Sequence, residues 1–245
     1  MMPKLSWWKI LAIALLLYVC WQGFMGKVPR LHIVNESIRN TYFHVPMWFG
    51  MIFLLTASVW NSIQYLRIGE LKYDVNSHGF VLVGIVFGIL GLVTGMIWAN
   101  FTWGAPWSND PKQTASAIGL MIYFGHLVLR GSITTIRDKA RISAVYSIFA
   151  YAIFIPLIGI LPRFTDSLHP GNGGNPAFGQ YDMDNNMRMV FWPAVVAWTL
   201  FGFWIAELRI RAEKLKNKFD ENEYSNENNN HSLDSVLSSD SGSAH

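Results

Sequence analysis

A chain of 245 residues with 51% hydrophobic residues, only 14% charged residues and eleven tryptophans is not an ordinary soluble domain. Its net charge of +3 gives no nucleic-acid signal, and its single cysteine, Cys20, excludes an internal disulfide and any metal cluster built on cysteine. The apolar residues fall in blocks long enough for the roughly 20 residues that a bilayer-crossing helix needs, so the composition predicts an all-α polytopic membrane protein.

The first block runs from Ile10 to about Met25, behind Lys4, Trp7, Trp8 and Lys9. A basic start before an apolar run also describes a cleaved signal peptide, but no small-x-small site follows. Trp21, Gln22 and Lys27 mark an exit from the membrane, so a retained helix is expected. Between Lys27 and Phe43, Leu31, Ile33 or Val34, and Ile38 fit one face of a short surface helix. A second span begins at His44-Val45-Pro46 and runs to about Leu66, with proline tolerated in its first turn. After a charged loop from Arg67 to Gly79, Phe80 to Trp98 forms the third span. Its Gly84 and Gly88, like Gly91 and Gly95, stand four apart on one face and permit close helix contact.

A polar and aromatic segment follows, from Trp103 to Thr114. Ala115 to about Leu129 is the fourth span, with His126 near its inner end. Ala144 to Leu161 is the fifth, bent at Pro156, where neighbouring helices can satisfy the freed carbonyl. The loop from Pro162 to Arg188 holds His169 and a Gly-Asn cluster, Gly171 to Asn175, that is turn chemistry and not a phosphate loop. Met189 to about Leu208 is the sixth span. The sequence therefore predicts a six-helix transmembrane domain over residues 1–211 and a disordered cytoplasmic tail over 212–245, which lacks apolar side chains to bury.

Positive charge sets the orientation. With six spans the termini share a side, and of the 19 Lys and Arg residues thirteen fall on that side. Lys27, Arg30, Arg39, Lys112, Arg163 and Arg188 make up the other six. The excess puts both termini in the cytoplasm. His44, the Trp segment and His169 then meet at the outer face.

The Trp segment has two readings. Tryptophan collects at membrane interfaces, so an aromatic belt is one. The other is a platform: Trp103 and Trp107 offer flat apolar faces beside Asp110, on a backbone kept tight by Gly104, Pro106 and Pro111. A lone interfacial histidine is more often a hydrogen-bonded boundary residue than a ligand. Two histidines flanking an aromatic surface instead match a bis-imidazole haem iron, whose porphyrin would stack on the indoles. Its propionates would seek Arg39, Lys112, Arg163 or Arg188.

The pattern Trp-Gly-x-x-Trp-x-x-Asp-x-x-x-Thr, here Trp103, Gly104, Trp107, Asp110 and Thr114, resembles the tryptophan-rich signature of the haem-handling proteins of cytochrome c biogenesis. His44-Val45-Pro46 and Ser167-Leu168-His169-Pro170 resemble the histidine-bearing outer loops on either side of it. Six spans and two flanking histidines are most similar to the small member, the cytochrome c maturation protein C family, over about Trp7 to Arg211. That resemblance implies a multi-pass protein of the cytoplasmic (inner) membrane with its site facing the periplasm or outer side. It further implies a non-covalently bound b-type haem with His44 and His169 as axial ligands to the metal, cradled by Trp103, Gly104, Trp107 and Asp110. The partners implied are a membrane-anchored haem chaperone, to which haem is delivered, and an ABC-transporter-type complex.

The chain departs from the pattern at Asn109, where the family has an aromatic residue, and at Asp110-Pro111-Lys112, which resembles the larger cytochrome c synthetases. A haem-lyase subunit is therefore one alternative and a haem-free transporter subunit another. A quinol-oxidising cytochrome b would want histidines in the middle of its spans, and no constellation for hydrolysis is visible.

Overall fold

The computed structural model describes residues 6–29, 34–161, 164–169 and 183–241, without the side chains of 35, 221 and 224–241. The chain divides into two compact units, Met1–Ala206 and Glu207–His245. The described residues form helices and no strand: α1 (Trp7–Met25), a 3-10 turn (Asn35–Asn40), α2 (Thr41–Ile68), α3 (Leu71–Trp103), α4 (Pro111–Ser132), α5 (Ile136–Ile155) and α6 (Asn185–Ser241). Five helical stretches are long and apolar enough to cross a membrane; α4 is the helix that falls short in apolarity. The chain is a multi-pass membrane protein.

The helices are longer, and the loops shorter, than hydropathy alone predicts. Only Gly69 and Glu70 separate α2 from α3, with Gly69 at a φ of 81° closing α2. The charged residues Lys72 and Asp74 continue α3 as helix beyond its apolar part. At the other end, α3 runs on to Trp103 and α4 starts at Pro111, so the non-helical Trp segment is Gly104–Asp110, not Trp103–Thr114. Pro46 lies inside α2, because the helix begins at Thr41; the missing N–H there spares only the carbonyl of Tyr42. The expected bend at Pro156 is a π-helical turn, Pro156–Ile160, closed by Leu161 N–H donating to the Pro156 carbonyl.

Two sequence expectations end differently. The short surface helix is a 3-10 turn whose Ile38 is buried, and Arg30 to Ile33 lie outside the described residues. The last helix does not stop near Leu208 but is helical to Ser241. Within the second unit, Arg209 pairs with Glu213 at 2.7 Å and Arg211 with Glu207, one turn apart in each case. Such pairs one turn apart support a polar helix.

In the first unit α2 and α3 pack antiparallel at close range, along the glycine face that the sequence marks. A Cβ on Gly84 would stand 3.0 Å from Leu55, on Gly88 2.6 Å from Met51, on Gly91 2.9 Å from Trp48, and on Gly95 2.5 Å from His44. Each step moves about one turn along both helices. Gly50 of α2 receives the Phe87 ring in the opposite sense, at 2.6 Å. Met51, Leu54, Leu55, Phe87, Leu120 and Phe154 fill the core between α2, α3, α4 and α5. Gly50→Ala should therefore lower the thermal midpoint in detergent by an overpacking cost of about 1–3 kcal/mol. Gly131→Ala, where a Cβ meets nothing within 4 Å, is the matched control and should leave it unchanged or slightly raised.

Candidate functional site

The site lies at the end of the bundle where α3 stops, α4 starts and α2 begins. Gly104 terminates α3 in the left-handed conformation, at a φ of 81°. The chain then turns through Ala105 to Asn109, and Gln113 of α4 holds that turn from inside. Its Oε1 accepts from the Ser108 N–H at 3.1 Å and the Ser108 hydroxyl at 3.2 Å, while its Nε2 donates to the Pro106 carbonyl at 3.2 Å.

Asp110 is the N-cap of α4, with Pro111 at the first helical position. Its carboxylate is buried and shared by four donors. Oδ1 accepts from the Lys112 N–H at 2.9 Å, and Oδ2 from the Leu168 N–H at 2.7 Å. The Ser167 hydroxyl reaches Oδ2 at 2.8 Å, and His169 Nδ1 lies 2.9 Å from Oδ1. One side chain thus caps a helix and holds the 167–169 loop against it.

Trp103 and Trp98 complete the seat of His169. The Trp103 ring meets the imidazole edge to face at 4.7 Å, Trp98 lies 6.2 Å away, and the two indoles pack edge to face at 5.2 Å. Burial holds the His169 pKa below its ordinary value, opposed by the Asp110 carboxylate and assisted by Lys112. For Asp110 burial alone would raise the pKa, but the bonds from the Leu168 N–H, Ser167, His169 and the Lys112 N–H outweigh it and hold it low.

His44 is held differently. It projects from the first turns of α2 into the gap over Gly95. There Nδ1 donates to the Gly91 carbonyl at 2.7 Å, with the Thr94 hydroxyl at 3.3 Å. Asn40 donates to the Thr94 carbonyl at 3.2 Å and ties the α2 entry to the same turn of α3. Trp98, which packs against His169, stands one turn beyond Thr94 and Gly95, which receive the His44 ring, so one stretch of α3 serves both imidazoles. Both keep Nδ1 engaged, and no hydrogen bond is recorded at either Nε2 among the described residues.

His44, His169, Trp103 and Asp110 thus come together, with Gly104 at the hinge of the loop that links them. Trp107 does not join their contacts. Its Nε1 donates to Asn109 Oδ1 at 2.9 Å, it is 37% exposed, and it makes no ring contact with either histidine among the described residues. Arg39 is committed elsewhere: its Nη1 donates to the Gly23 and Gly26 carbonyls at 3.0 and 2.7 Å, and its Nε to Glu36 at 2.6 Å. Arg163, Pro170 and the Gly171–Asn175 cluster lie outside the described residues. Sequence reasoning missed Gln113, Thr94 and the carboxylate–imidazole pair. The Asp-Pro helix start was the available signal for the last of these, since it fixes where the Asp110 side chain points.

Comparison with known proteins locates the chain. A profile described as heme exporter protein C matches residues 1–225. The heme exporter protein C of Bradyrhizobium diazoefficiens is 25% identical over 171 residues, covering 67% of this chain and 62% of that protein. The cytochrome c biogenesis protein CcsA of Prochlorococcus marinus subsp. pastoris is 43% identical over 75 residues, 31% of this chain and 23% of that protein. That of Trachelium caeruleum is 28% identical over 125 residues, 50% and 37% respectively. The chain spans less than two thirds of the length of each of these relatives.

The carboxylate hub makes a measurable demand. Asp110→Asn keeps the side-chain shape but removes the charge that several donors share, a loss of about 1–3 kcal/mol for bonds to a buried charged group. Amide exchange at Leu168, whose N–H bonds Oδ2, should accelerate by roughly one to two orders of magnitude by the same arithmetic. Unchanged protection at Leu168 would show that Asp110 does not hold the loop.

Proposed function

Because this chain belongs to the heme exporter protein C family, we propose that it handles haem for c-type cytochrome biogenesis, holding the haem between His44 and His169. The observation that carries the reading is the matched pair of imidazoles. Each is anchored through Nδ1, which leaves Nε2 as the ligating atom. A ligating imidazole needs its other nitrogen fixed by a carbonyl or carboxylate, and here Gly91 serves His44 and Asp110 serves His169. The residues therefore fit the group.

Haem would supply an iron that imidazole nitrogens can ligate and a flat apolar ring. The chain would supply the rest. His44 and His169 would hold the iron, Trp103 and Trp98 wall the His169 side, and Gly95 leaves room for the His44 ring. Asp110 acts as a positioning residue and takes no part in binding propionates, which fall to Lys112, Arg188 or Arg163. Gly104 sets the turn, and Trp107 covers the outside of the loop. Ligation through imidazoles alone corresponds to a b-type, non-covalently held haem.

The site faces the outer side of the cytoplasmic membrane, with six spans and both termini inside. Helix α4 supports the sixth. Its 22 residues reach about 33 Å, enough for a hydrocarbon core of about 30 Å. Its low apolarity comes from the inside: Gln113 and His126 are buried, while Ile118, Met121, Phe124 and Val128 form the exposed stripe. Delivery to a membrane-anchored haem chaperone, in concert with an ABC-type complex, completes the reading. A haem-lyase subunit is the second reading, favoured by the 43% identity to a cytochrome c biogenesis protein over a part of the chain.

Visible spectra test the ligands. His44→Ala or His169→Ala should convert a low-spin six-coordinate spectrum to a five-coordinate one, and exogenous imidazole should restore it in part. Gly95→Ala should resemble His44→Ala, since its Cβ would fall 2.5 Å from the His44 ring. An intact low-spin spectrum in all three would overturn the assignment. Trp103→Ala should weaken haem retention more than Trp107→Ala, by about 0.5–1.5 kcal/mol for the lost ring contact.

The pH dependence has a defined sign. Ligation needs neutral imidazole, and the His169 pKa is held below the ordinary 6.5. Haem ligation should survive as pH falls through 6.5 and fail only below it. The loop itself binds fewer protons folded than unfolded, so its stability is full above that value and declines below it. For orientation, an externally active reporter fused after Gly174 should be active and one after Lys139 silent; the reverse would place the site on the cytoplasmic side.

A further inference from the structure

At the opposite end of the first unit, the packing of α4 against α3 and α5 buries polar atoms that the haem reading does not use. Asp74 and Arg130 form a two-pronged ion pair at 2.7 and 2.7 Å, with the side chains 10% and 14% exposed. One turn deeper on both helices stand His78 and His126, their ring planes 25° apart and centroids separated by 6.5 Å. His126 is 2% exposed, yet neither Nδ1 nor Nε2 has a hydrogen-bond partner among the described residues. Tyr123, one turn along α4 and 0% exposed, has an equally unpartnered hydroxyl. Tyr146 of α5 closes the side of the His126 ring at 5.6 Å, with its own hydroxyl donating to the Ile122 carbonyl at 2.8 Å.

A neutral imidazole always carries one donor and one acceptor, and a phenol carries both. Leaving all of them unmet in a bundle core is strongly unfavourable, so something must meet them. The mixture selects the ligand. An anion would need donors alone, and Arg130 is already committed to Asp74. A metal ion would need more ligands than this pair offers, and no group of three is present among the described residues. Water both donates and accepts, and it takes two to four partners.

We propose that His126 and Tyr123, with His78 and Tyr146 around them, enclose ordered water and form a proton-exchange site reached from the Asp74–Arg130 end. Ionisable side chains stacked turn by turn inside a membrane helix pair are the arrangement from which proton relays are built. A proton passes from water at the rim, through the enclosed water, to the acceptor nitrogen of His126, and returns by the same route, so nothing is oxidised or reduced. The charged and titratable groups around His126 and Tyr123 are His78 on α3, Arg130 on α4, and Tyr146 and Tyr151 on α5.

The test uses the full chain in lipid nanodiscs. Under brief hydroxyl-radical labelling by synchrotron radiolysis, enclosed water should make Tyr123 and His126 react severalfold faster than Phe87 and Phe154, which are equally buried. The imidazole carbon resonance of His126, assigned by its loss in His126→Gln, should follow bulk pH. Labelling no faster than at the phenylalanines means a dry core and overturns the site. Labelling without titration overturns the proton exchange. His126→Gln should also keep the haem spectrum of the wild-type chain; its loss, with the fold intact, would assign the imidazole to haem instead. A chain that fails to bind haem at His44 and His169 leaves the labelling and titration results standing on their own.

Discussion

The close approach of α2 and α3 is the constraint from which the site follows. Without Cβ atoms at Gly84, Gly88, Gly91 and Gly95, each turn of α3 accepts one large side chain of α2, in the order Leu55, Met51, Trp48, His44. The first three are apolar and make core. The fourth is an imidazole in the same kind of slot, so packing that stabilises the bundle also fixes the ring. In lipid there is little hydrophobic drive between helices, and small residues that let backbones approach are the usual substitute. The Gly91 carbonyl that receives His44 Nδ1 is reachable because its own residue has no side chain to interpose.

His169 depends on a different kind of support. The Trp98 and Trp103 rings of α3 wall it, and Asp110 holds the 167–169 loop through bonds to Leu168, Ser167 and His169. The two imidazoles are therefore unequal. One is seated on rigid helices and bonded to a neutral carbonyl. The other sits on a loop and faces a carboxylate, which makes its Nε2 the more basic nitrogen.

The sequence carried the positions of these residues better than their roles. His44, Trp103, Asp110 and His169 were legible because each interrupts a hydropathic block, and positive charge placed the interruptions on one side. The role of Asp110 was not legible, since charge and spacing alone made it a neighbour of the indoles and not the anchor of His169. Trp103 and Trp107 read as equivalents. Only the backbone, with Gly104 and Asn109 at positive φ, turns one towards His169 and the other towards Asn109. Helix ends were missed for a simple reason: hydropathy marks the apolar middle, while backbone hydrogen bonding continues through Lys72 and Asp74 until a glycine or an Asp-Pro start stops it.

Helix α4 shows how hydropathy and burial separate in this bundle. In a soluble protein its polar residues would face water. Here Gln113 and His126 are buried against the bundle and the apolar stripe faces outward, so the low hydropathy of α4 reflects polar residues on its inner face. Gln113 at one end is satisfied by the backbone of the loop it holds. His126 at the other end is enclosed, with no partner for either nitrogen among the described residues. The same contrast runs through the histidines: at the Trp-loop end each ring has a fixed partner at Nδ1, and such a ring is positioned to bind something at Nε2. A ring with neither nitrogen bonded among the described residues has no such orientation.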